Sequence, residues 1–309
     1  MSDISRAAVI GTGTMGPGMG AVLERAGLDV SLYDVSQEAL ERAKHGTELA
    51  SGVLERLGTD DRGGSLRFDD DLGAALEGAD YVIEAVPEKL ELKQHVYADF
   101  EQHVGADTVL ASNTSGIPIT KIAEGLDHPE RVIGMHWSNP PHLIPMIEVI
   151  PGEQTSDGAV NDTIAIIERI GYHPCLLKKE VPGFVENRVL YAIMRECLAL
   201  VDEGVIDAEG LDLNVKWGIG YKLAVIPPMQ LLDVAGLDIY ESVASYLNSD
   251  LSTESGVSKA ITDRTGDGKL GLKTGGGLFE YSESELAELP KNRAAALVAV
   301  RKTLDQQDV

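Results

Sequence analysis

The chain contains few cysteines and few basic residues. Its two cysteines among 309 residues, Cys175 and Cys197, lie in apolar segments typical of core thiols, which argues against a disulfide-stabilised fold. The 26 lysines and arginines face 50 aspartates and glutamates, and the formal charge of −24 argues against nucleic acid and anionic membranes as partners. No apolar run approaches the roughly 20 residues that cross a membrane, and the N-terminus lacks the features of a signal peptide. We therefore expect a cytoplasmic protein that binds a small molecule.

Spacings typical of metal ligands are also missing. The cysteines do not form a metal-binding motif, and His136 and His142 are six positions apart with two prolines between them. Two histidines at that spacing do not share a helix face. No metal site is predicted.

The first 34 residues have the pattern of a dinucleotide site. A short apolar strand, Arg6–Ile10, is followed by a glycine-rich turn and by a helical pattern, Met19–Ala26, that stops at Gly27. A second strand, Val30–Tyr33, ends in Asp34, which would accept hydrogen bonds from ribose hydroxyls and repel a 2′-phosphate. The glycines let the backbone approach a pyrophosphate at the helix N-terminus. The pattern predicts NAD as the cofactor, bound by Gly11, Gly13, Thr14, Met15, Gly16 and Asp34.

Strand and helix patterns alternate in the first half of the chain and give way to amphipathic helices after Val181. This order predicts an α/β fold, a Rossmann-type doubly wound sheet followed by an all-α C-terminal domain. We place the domains at residues 1–180 (NAD binding) and 181–309 (helical, for substrate and dimerisation). The expected strands are Arg6–Ile10, Val30–Tyr33, Ala79–Glu84, Thr108–Ser112, Val132–Met135, Met146–Ile150 and His173–Lys178, and the expected helices of the first domain are Met19–Ala26, Gln37–Leu57, Leu90–Val104 and Val160–Ile170.

His136 and Glu148, twelve positions apart, are the candidate catalytic pair. The histidine precedes an Asn-Pro turn, and the glutamate lies inside a β-branched run. Imidazole titrates near neutrality, and a carboxylate on its second nitrogen fixes the tautomer and stabilises the imidazolium. The alternative is a surface histidine near a turn and an unrelated glutamate in a strand.

Six separate motifs resemble the 3-hydroxyacyl-CoA dehydrogenase family over essentially the full chain. In that family a Rossmann domain binds NAD, and a helical domain supplies dimer contacts and closes over the substrate, so the resemblance implies a homodimeric dehydrogenase. The motifs are Gly11-Thr-Gly-Thr-Met-Gly16, Glu84-Ala-Val-Pro-Glu88, Ser112-Asn-Thr-Ser115, Gly134-Met-His-Trp-Ser-Asn-Pro140, Pro182-Gly-Phe-Val-Glu-Asn-Arg188 and Gly271-Leu-Lys-Thr-Gly-Gly-Gly277.

The resemblance also implies roles for single residues. His136 would accept the proton of the substrate hydroxyl while hydride passes to the nicotinamide, and Glu148 would orient it. Ser115 would hydrogen-bond the reacting oxygen, although a serine there also suits a helix N-cap. Asn187 lies on an apolar helix face and would bind substrate, unless it is a satisfied buried amide. Residues that the family uses near the cofactor are Glu88, Lys93 and Asn113.

Departures from the CoA-binding members favour a different substrate. The helix expected over Gln37–Leu57 has Ala50 and Leu57 where those members have a serine and a lysine, and it shows no basic cluster to hold a CoA nucleotide. Trp217-Gly-Ile-Gly-Tyr-Lys222 resembles members that act on small carboxylates such as carnitine, gulonate or a pyridine carboxylate of vitamin B6 degradation. Trp137 would stack on an aromatic substrate, and Arg188 or Lys222 would pair with its carboxylate. The alternatives are a core tryptophan and surface cations.

Two other functions stay open at this point. The chain suits a 3-hydroxybutyryl-CoA dehydrogenase if Lys44 and Arg56 form a basic entrance. The other is a non-catalytic structural role, as in a lens crystallin that resembles this family. Retention of His136, Glu148, Ser115 and Asn187 argues for catalysis, since a structural protein needs none of them.

Overall fold

The computed structural model of the chain describes residues 4–306 and contains an eight-stranded sheet in its first part. The strand order is β3-β2-β1-β4-β5-β6-β7-β8, and every neighbouring pair is parallel except β6 and β7. The sheet confirms the predicted doubly wound α/β fold. The strands are β1 Arg6–Ile10, β2 Asp29–Tyr33, β3 Ser65–Asp69, β4 Tyr81–Glu84, β5 Val109–Ser112, β6 Val132–Trp137, β7 Met146–Pro151 and β8 His173–Leu176.

Helices cover both faces of this sheet. Strand β1 shows why: Ala7 and Val9 pack into one apolar cluster, whereas Ala8 and Ile10 pack into a second cluster. Successive side chains of a strand point to opposite faces, so a strand that is apolar throughout needs a cover on each side. The helices that begin within the first part are α1 Gly16–Arg25, α2 Gln37–Leu57, α3 Leu72–Leu76, α4 Leu90–Glu101, α5 Ile119–Ile122, a 3₁₀ turn Pro129–Arg131, α6 Asp157–Arg169 and α7 Glu186–Asp202.

Besides the 3₁₀ turn, three elements of the first part were not predicted. Strand β3 lies at the sheet edge with most of its residues partly exposed, so its apolar signal is weak. Helices α3 and α5 have only five and four residues, too short for a helical period to stand out. Strand β6 also runs two residues further than predicted, which places His136 inside the strand.

The second part of the described chain is helical, as predicted. The chain divides into two compact units between Asn187 and Arg188. No helix of residues 4–306 is long and apolar enough to span a membrane. The elements that follow α7 are α8 Ala208–Asn214, a π-helical turn Val215–Gly220, α9 Tyr221–Leu223, α10 Pro228–Ala235, α11 Leu237–Leu247, α12 Lys259–Gly266 and α13 Glu283–Leu304.

The prediction of two core thiols was wrong. Cys175 is exposed, because β8 forms an edge of the sheet, and Cys197 is half-buried. Neither is in a disulfide.

Candidate active site

The antiparallel pairing of β6 with β7 places His136 directly opposite Glu148. Residues that face each other across such a pair bring their side chains together on the same face of the sheet. The His136 Nδ1 atom lies 2.8 Å from Glu148 Oε2, and both side chains are buried. The predicted pair is therefore present in the structure as a hydrogen-bonded dyad.

The start of helix α7 holds the Glu148 carboxylate. Its second oxygen, Oε1, accepts hydrogen bonds from the backbone N–H groups of Val185 at 2.8 Å and Glu186 at 3.0 Å. Burial raises the pKa of Glu148, but the hydrogen bonds from His136 and the two amides outweigh it, so the pKa lies below its ordinary value. The carboxylate stays ionised and is an acceptor only, so the Nδ1–H group of His136 donates the hydrogen bond. No described residue hydrogen-bonds Nε2, so Nε2 is the atom that can accept a proton.

Ser115 and Asn187 lie next to each other. Asn187 Nδ2 donates to the backbone oxygen of Ser115 at 3.1 Å. The Ser115 hydroxyl is exposed and hydrogen-bonds no described residue. The turn-forming role belongs to Thr114, whose Oγ1 accepts from the amides of Gly116 and Ile117. The Ser115 hydroxyl thus remains available to a ligand.

The glycine loop between β1 and α1 leaves space for a ligand. Gly11 has φ +107°, and a Cβ there would lie 2.6 Å from the Ala85 carbonyl oxygen, so only glycine fits. At Gly13 a Cβ would meet no atom within 4 Å. No side chain caps the N-terminus of α1, whereas Ser36 caps α2. Uncapped amides at a helix N-terminus beside an open glycine suit a pyrophosphate.

Asp34 lies at the carboxyl end of β2, beside this loop. Its Oδ2 accepts from the Thr12 amide at 3.0 Å and the Thr12 hydroxyl at 2.9 Å, and its Oδ1 accepts from the Ser36 amide. Sequence reasoning missed Thr12, although its place between Gly11 and Gly13 was the available signal. These contacts hold the Asp34 carboxylate at the position from which, in a dinucleotide fold, an acidic residue hydrogen-bonds the ribose. The residues therefore fit NAD.

Comparison with known proteins agrees with this geometry. The 3-hydroxyacyl-CoA dehydrogenase, NAD binding domain, matches residues 6–181, and the C-terminal domain of the same family matches residues 183–281. The chain belongs to the 3-hydroxyacyl-CoA dehydrogenase family. The predicted family, NAD cofactor and dehydrogenase class are thereby confirmed.

Two relatives within the family differ in substrate. The chain is 52% identical to the 5-formyl-3-hydroxy-2-methylpyridine 4-carboxylate 5-dehydrogenase of Mesorhizobium japonicum, over 99% of this chain and 100% of that protein. A crystal structure of such a 5-dehydrogenase, described as an NAD+ dependent dismutase, matches with a TM-score of 0.96 over 99% of this chain and 100% of that one, at 52% identity. A probable 3-hydroxybutyryl-CoA dehydrogenase of Deinococcus radiodurans is 35% identical over 88% of this chain and 99% of that protein.

Lys93 lies between two carboxylates, and its place near the cofactor stays a prediction. Its side chain is buried, and its Nζ lies 2.6 Å from Glu84 Oε1 and 3.3 Å from Glu88 Oε2. Burial raises the pKa of Glu84 although Lys93 and Ser112 act in the opposite direction. The two carboxylates enclose the ammonium group, so its visible role is to anchor Glu88. Glu88 itself has a side chain 44% exposed, and its contact with the cofactor stays a prediction.

Trp137 also departs from the prediction. Its side chain is 2% exposed and packs in the core with its ring 5.8 Å from that of Tyr172. Because side chains alternate along β6, a strand that turns His136 to the site turns Trp137 into the core. Stacking of Trp137 on a substrate was therefore a wrong prediction. Asn113 contributes to this arrangement, since its Oδ1 accepts from the Trp137 amide at 2.9 Å.

Two basic side chains on α2 form ion pairs with neighbouring glutamates. Arg42 lies 2.8 Å from Glu38, and Lys44 lies 2.6 Å from Glu41. Ala50, at the position where CoA-binding members have a serine, is buried. With Lys44 paired to Glu41, Arg56 alone does not make the free cationic cluster expected of a CoA entrance.

Ser138 and Glu186 extend the dyad and were not predicted. The Ser138 hydroxyl donates to Glu186 Oε2 at 2.5 Å. Atoms of His136, Glu148 and Glu186 that can bind a metal all lie within 4.8 Å of one another. The signal in the sequence was the spacing, because Ser138 is two residues after His136 and directly follows β6.

Arg188 and Lys222 belong to the second unit and are exposed there. Lys222 lies in the short helix α9, directly after the π-helical turn that contains Trp217. Their contact with a substrate stays a prediction.

Proposed function

We propose that this protein is an NAD-dependent dehydrogenase that oxidises the aldehyde of a small pyridine carboxylate of the 5-formyl-3-hydroxy-2-methylpyridine-4-carboxylate type. The observation that carries the proposal is the buried His136–Glu148 dyad, in a chain without a free basic cluster on α2. The relative with 52% identity, which acts on that aldehyde, supports the choice of substrate class.

The reaction uses His136 as the proton acceptor. A hydrated aldehyde bears two hydroxyls, and Nε2 accepts the proton of one of them while the carbon loses its hydrogen as hydride. Bound NAD supplies the hydride acceptor. Glu148 holds Nδ1 and stabilises the imidazolium through the 2.8 Å hydrogen bond. The Ser115 hydroxyl and the side-chain amide of Asn187, whose Nδ2 donates to the Ser115 backbone oxygen, bind the oxygen that reacts.

We propose that side chains of the second unit bind the substrate carboxylate. Lys222 and Arg188 are the cations that we propose for it, because an anion needs a charged donor in a chain of formal charge −24. We propose the same division of labour as in the family, with residues 1–180 holding NAD and residues 181–309 serving substrate and dimer.

Exposed apolar side chains in the second unit support a homodimer. Tyr191, Trp217, Met229 and Tyr246 are between 59% and 71% exposed, and no described residue of helices α8 to α12 is buried. Such surfaces are covered in a folded protein, and a second copy of the chain is the commonest cover. A cytoplasmic location fits the NAD requirement and the free thiols Cys175 and Cys197.

A substrate comparison tests the proposal. Purified protein with NAD is given either the formyl-pyridine carboxylate or 3-hydroxybutyryl-CoA, and NADH formation is followed. Turnover of the pyridine alone supports the proposal. Turnover of the CoA thioester alone returns the chain to fatty-acid oxidation, and turnover of neither favours the crystallin-like structural role.

A further inference from the structure

Two polar side chains near the end of β6 each hold a carboxylate: His136 lies in the strand, and Ser138 directly follows it. His136 holds Glu148, and Ser138, two residues later, donates to Glu186 Oε2 at 2.5 Å. Ser138 is 4% exposed, so a carboxylate that it binds is fixed by a buried donor. The second carboxylate is thus built into the site and is not a mobile surface group.

Glu186 is also fixed through its backbone. Its amide donates to Glu148 Oε1 at 3.0 Å, which ties the start of α7 to the dyad. Its remaining side-chain oxygen, Oε1, accepts no hydrogen bond from any residue in the described range 4–306. Glu186 Oε1 is therefore free to accept a hydrogen bond, and its carboxylate lies only a few ångströms from His136.

The cluster suits proton transfer better than a metal ion. The 2.8 Å between His136 Nδ1 and Glu148 Oε2 is a hydrogen-bond distance. Two ligand atoms on one tetrahedral zinc are about 3.3 Å apart, given bonds of about 2 Å. Glu148 Oε1 is moreover already occupied by two amides.

The proton balance of the proposed reaction requires more than one acceptor. Oxidation of an alcohol to a carbonyl compound releases one proton. Oxidation of an aldehyde to a carboxylate consumes a water molecule and releases two protons, and His136 can accept only one of them at Nε2.

We propose that Glu186 is the second proton acceptor and activates the water that adds to a bound aldehyde. This inference rests on the proposed function. The water oxygen bonds to the carbonyl carbon while one of its O–H bonds breaks, and that proton passes to Glu186. The carbon then loses hydride to NAD, a C=O bond re-forms, and the remaining hydroxyl proton passes to His136. One aldehyde, one water and one NAD give one carboxylate, one NADH and two protons, with one proton on each residue.

Reduction of the same aldehyde distinguishes the role of Glu186 from that of His136. Reduction of the aldehyde by NADH adds one hydride and one proton and needs no water. His136 supplies that proton, and Glu186 has no part in it. A change at Glu186 is therefore expected to affect oxidation more than reduction, whereas damage to the dyad or to the fold affects both.

The test measures both directions on the formyl-pyridine carboxylate with three variants. For Glu186→Gln we expect the ratio of the oxidation rate to the reduction rate to fall by at least about tenfold, since a general base contributes about 10²–10⁴. Ser138→Ala, which frees the carboxylate, lowers the ratio less. Glu186→Asp keeps a carboxylate and restores part of the ratio.

Glu148→Gln is the matched control, because it changes one carboxylate of the same cluster and lowers both directions together. NADH affinity, measured by fluorescence, reports that each variant keeps its cofactor site. An unchanged ratio in Glu186→Gln overturns the inference while the proposed function stands. Failure of the wild-type protein to oxidise the aldehyde overturns both.

Discussion

At the residue scale, the dyad shows how a cross-strand pair sets up chemistry. The sequence contained both residues, and their types indicated a base and its orienting acid. The register of β6 and β7, which places His136 opposite Glu148, could not be predicted from the sequence. The two backbone amides that donate to Glu148 could not be predicted either, because they belong to Val185 and Glu186, nearly forty positions later in the chain.

The Asp34 contacts give a prediction on cofactor choice. Asp34→Ala removes the carboxylate that Thr12 and Ser36 hold at the ribose position. We expect the preference for NAD over NADP to relax, because the charge that repels a 2′-phosphate is lost. Initial rates with each cofactor measure this. An unchanged preference would mean that another residue excludes the phosphate.

Glu148 gives a prediction on pH and stability. Its pKa in the folded protein is below the ordinary value of 4.5, so its contribution is present above pH 4.5 and is lost as pH falls through the folded value. Relative to Glu148→Gln, the wild-type protein should be more stable by about 2 kcal/mol above pH 4.5, from hydrogen bonds to a charged group. Denaturant unfolding of both proteins across this range measures the difference. A difference that grows as pH falls would contradict the assignment.

At the element scale, the order β1, glycine loop, α1, β2 was predictable because each piece has a local pattern. Edge strand β3 and the short helices α3 and α5 were not predictable, because tertiary contacts form them and they show no clear periodicity. The same limit applied to Trp137, since a strand extended by two residues decides which side chain faces the site.

Two glycines of the loop make a matched pair for mutation. Gly11→Ala forces a Cβ to within 2.6 Å of a carbonyl oxygen at φ +107°, so it should lower both stability and NAD affinity. Gly13→Ala meets no protein atom within 4 Å, so it should lower NAD affinity with little change in stability. Thermal unfolding and NAD titration separate the two effects. Equal loss of stability in both variants would contradict the account of the loop.

At the scale of the whole molecule, the sequence predicted the class of each half but could not reveal what covers the second. The amphipathic helices were evident, but exposure of their apolar residues emerges only from the folded chain. The formal charge of −24 argued against nucleic acid and anionic membranes as partners, but it did not identify a partner.

The proposed homodimer can be tested by replacing exposed apolar residues. Tyr246→Glu and Met229→Glu place charges on surfaces that are 60% and 70% exposed in the single chain. We expect sedimentation analysis to show a dimer for the wild type and a shift towards monomer for the variants, because burying an unpaired charge is costly. Glu288→Gln, which alters a charged residue of helix α13, is the control and should stay dimeric. A monomeric wild type would contradict the proposal.

The central claim is that a first-unit dyad performs the proton transfer beside a separate NAD site. The most direct measurement is the turnover of the formyl-pyridine carboxylate by His136→Ala, together with NAD binding by calorimetry. We expect turnover to be lost while NAD affinity is kept, because His136 lies on β6 and outside the glycine loop. Turnover that persists, or turnover and NAD binding lost together, would contradict it.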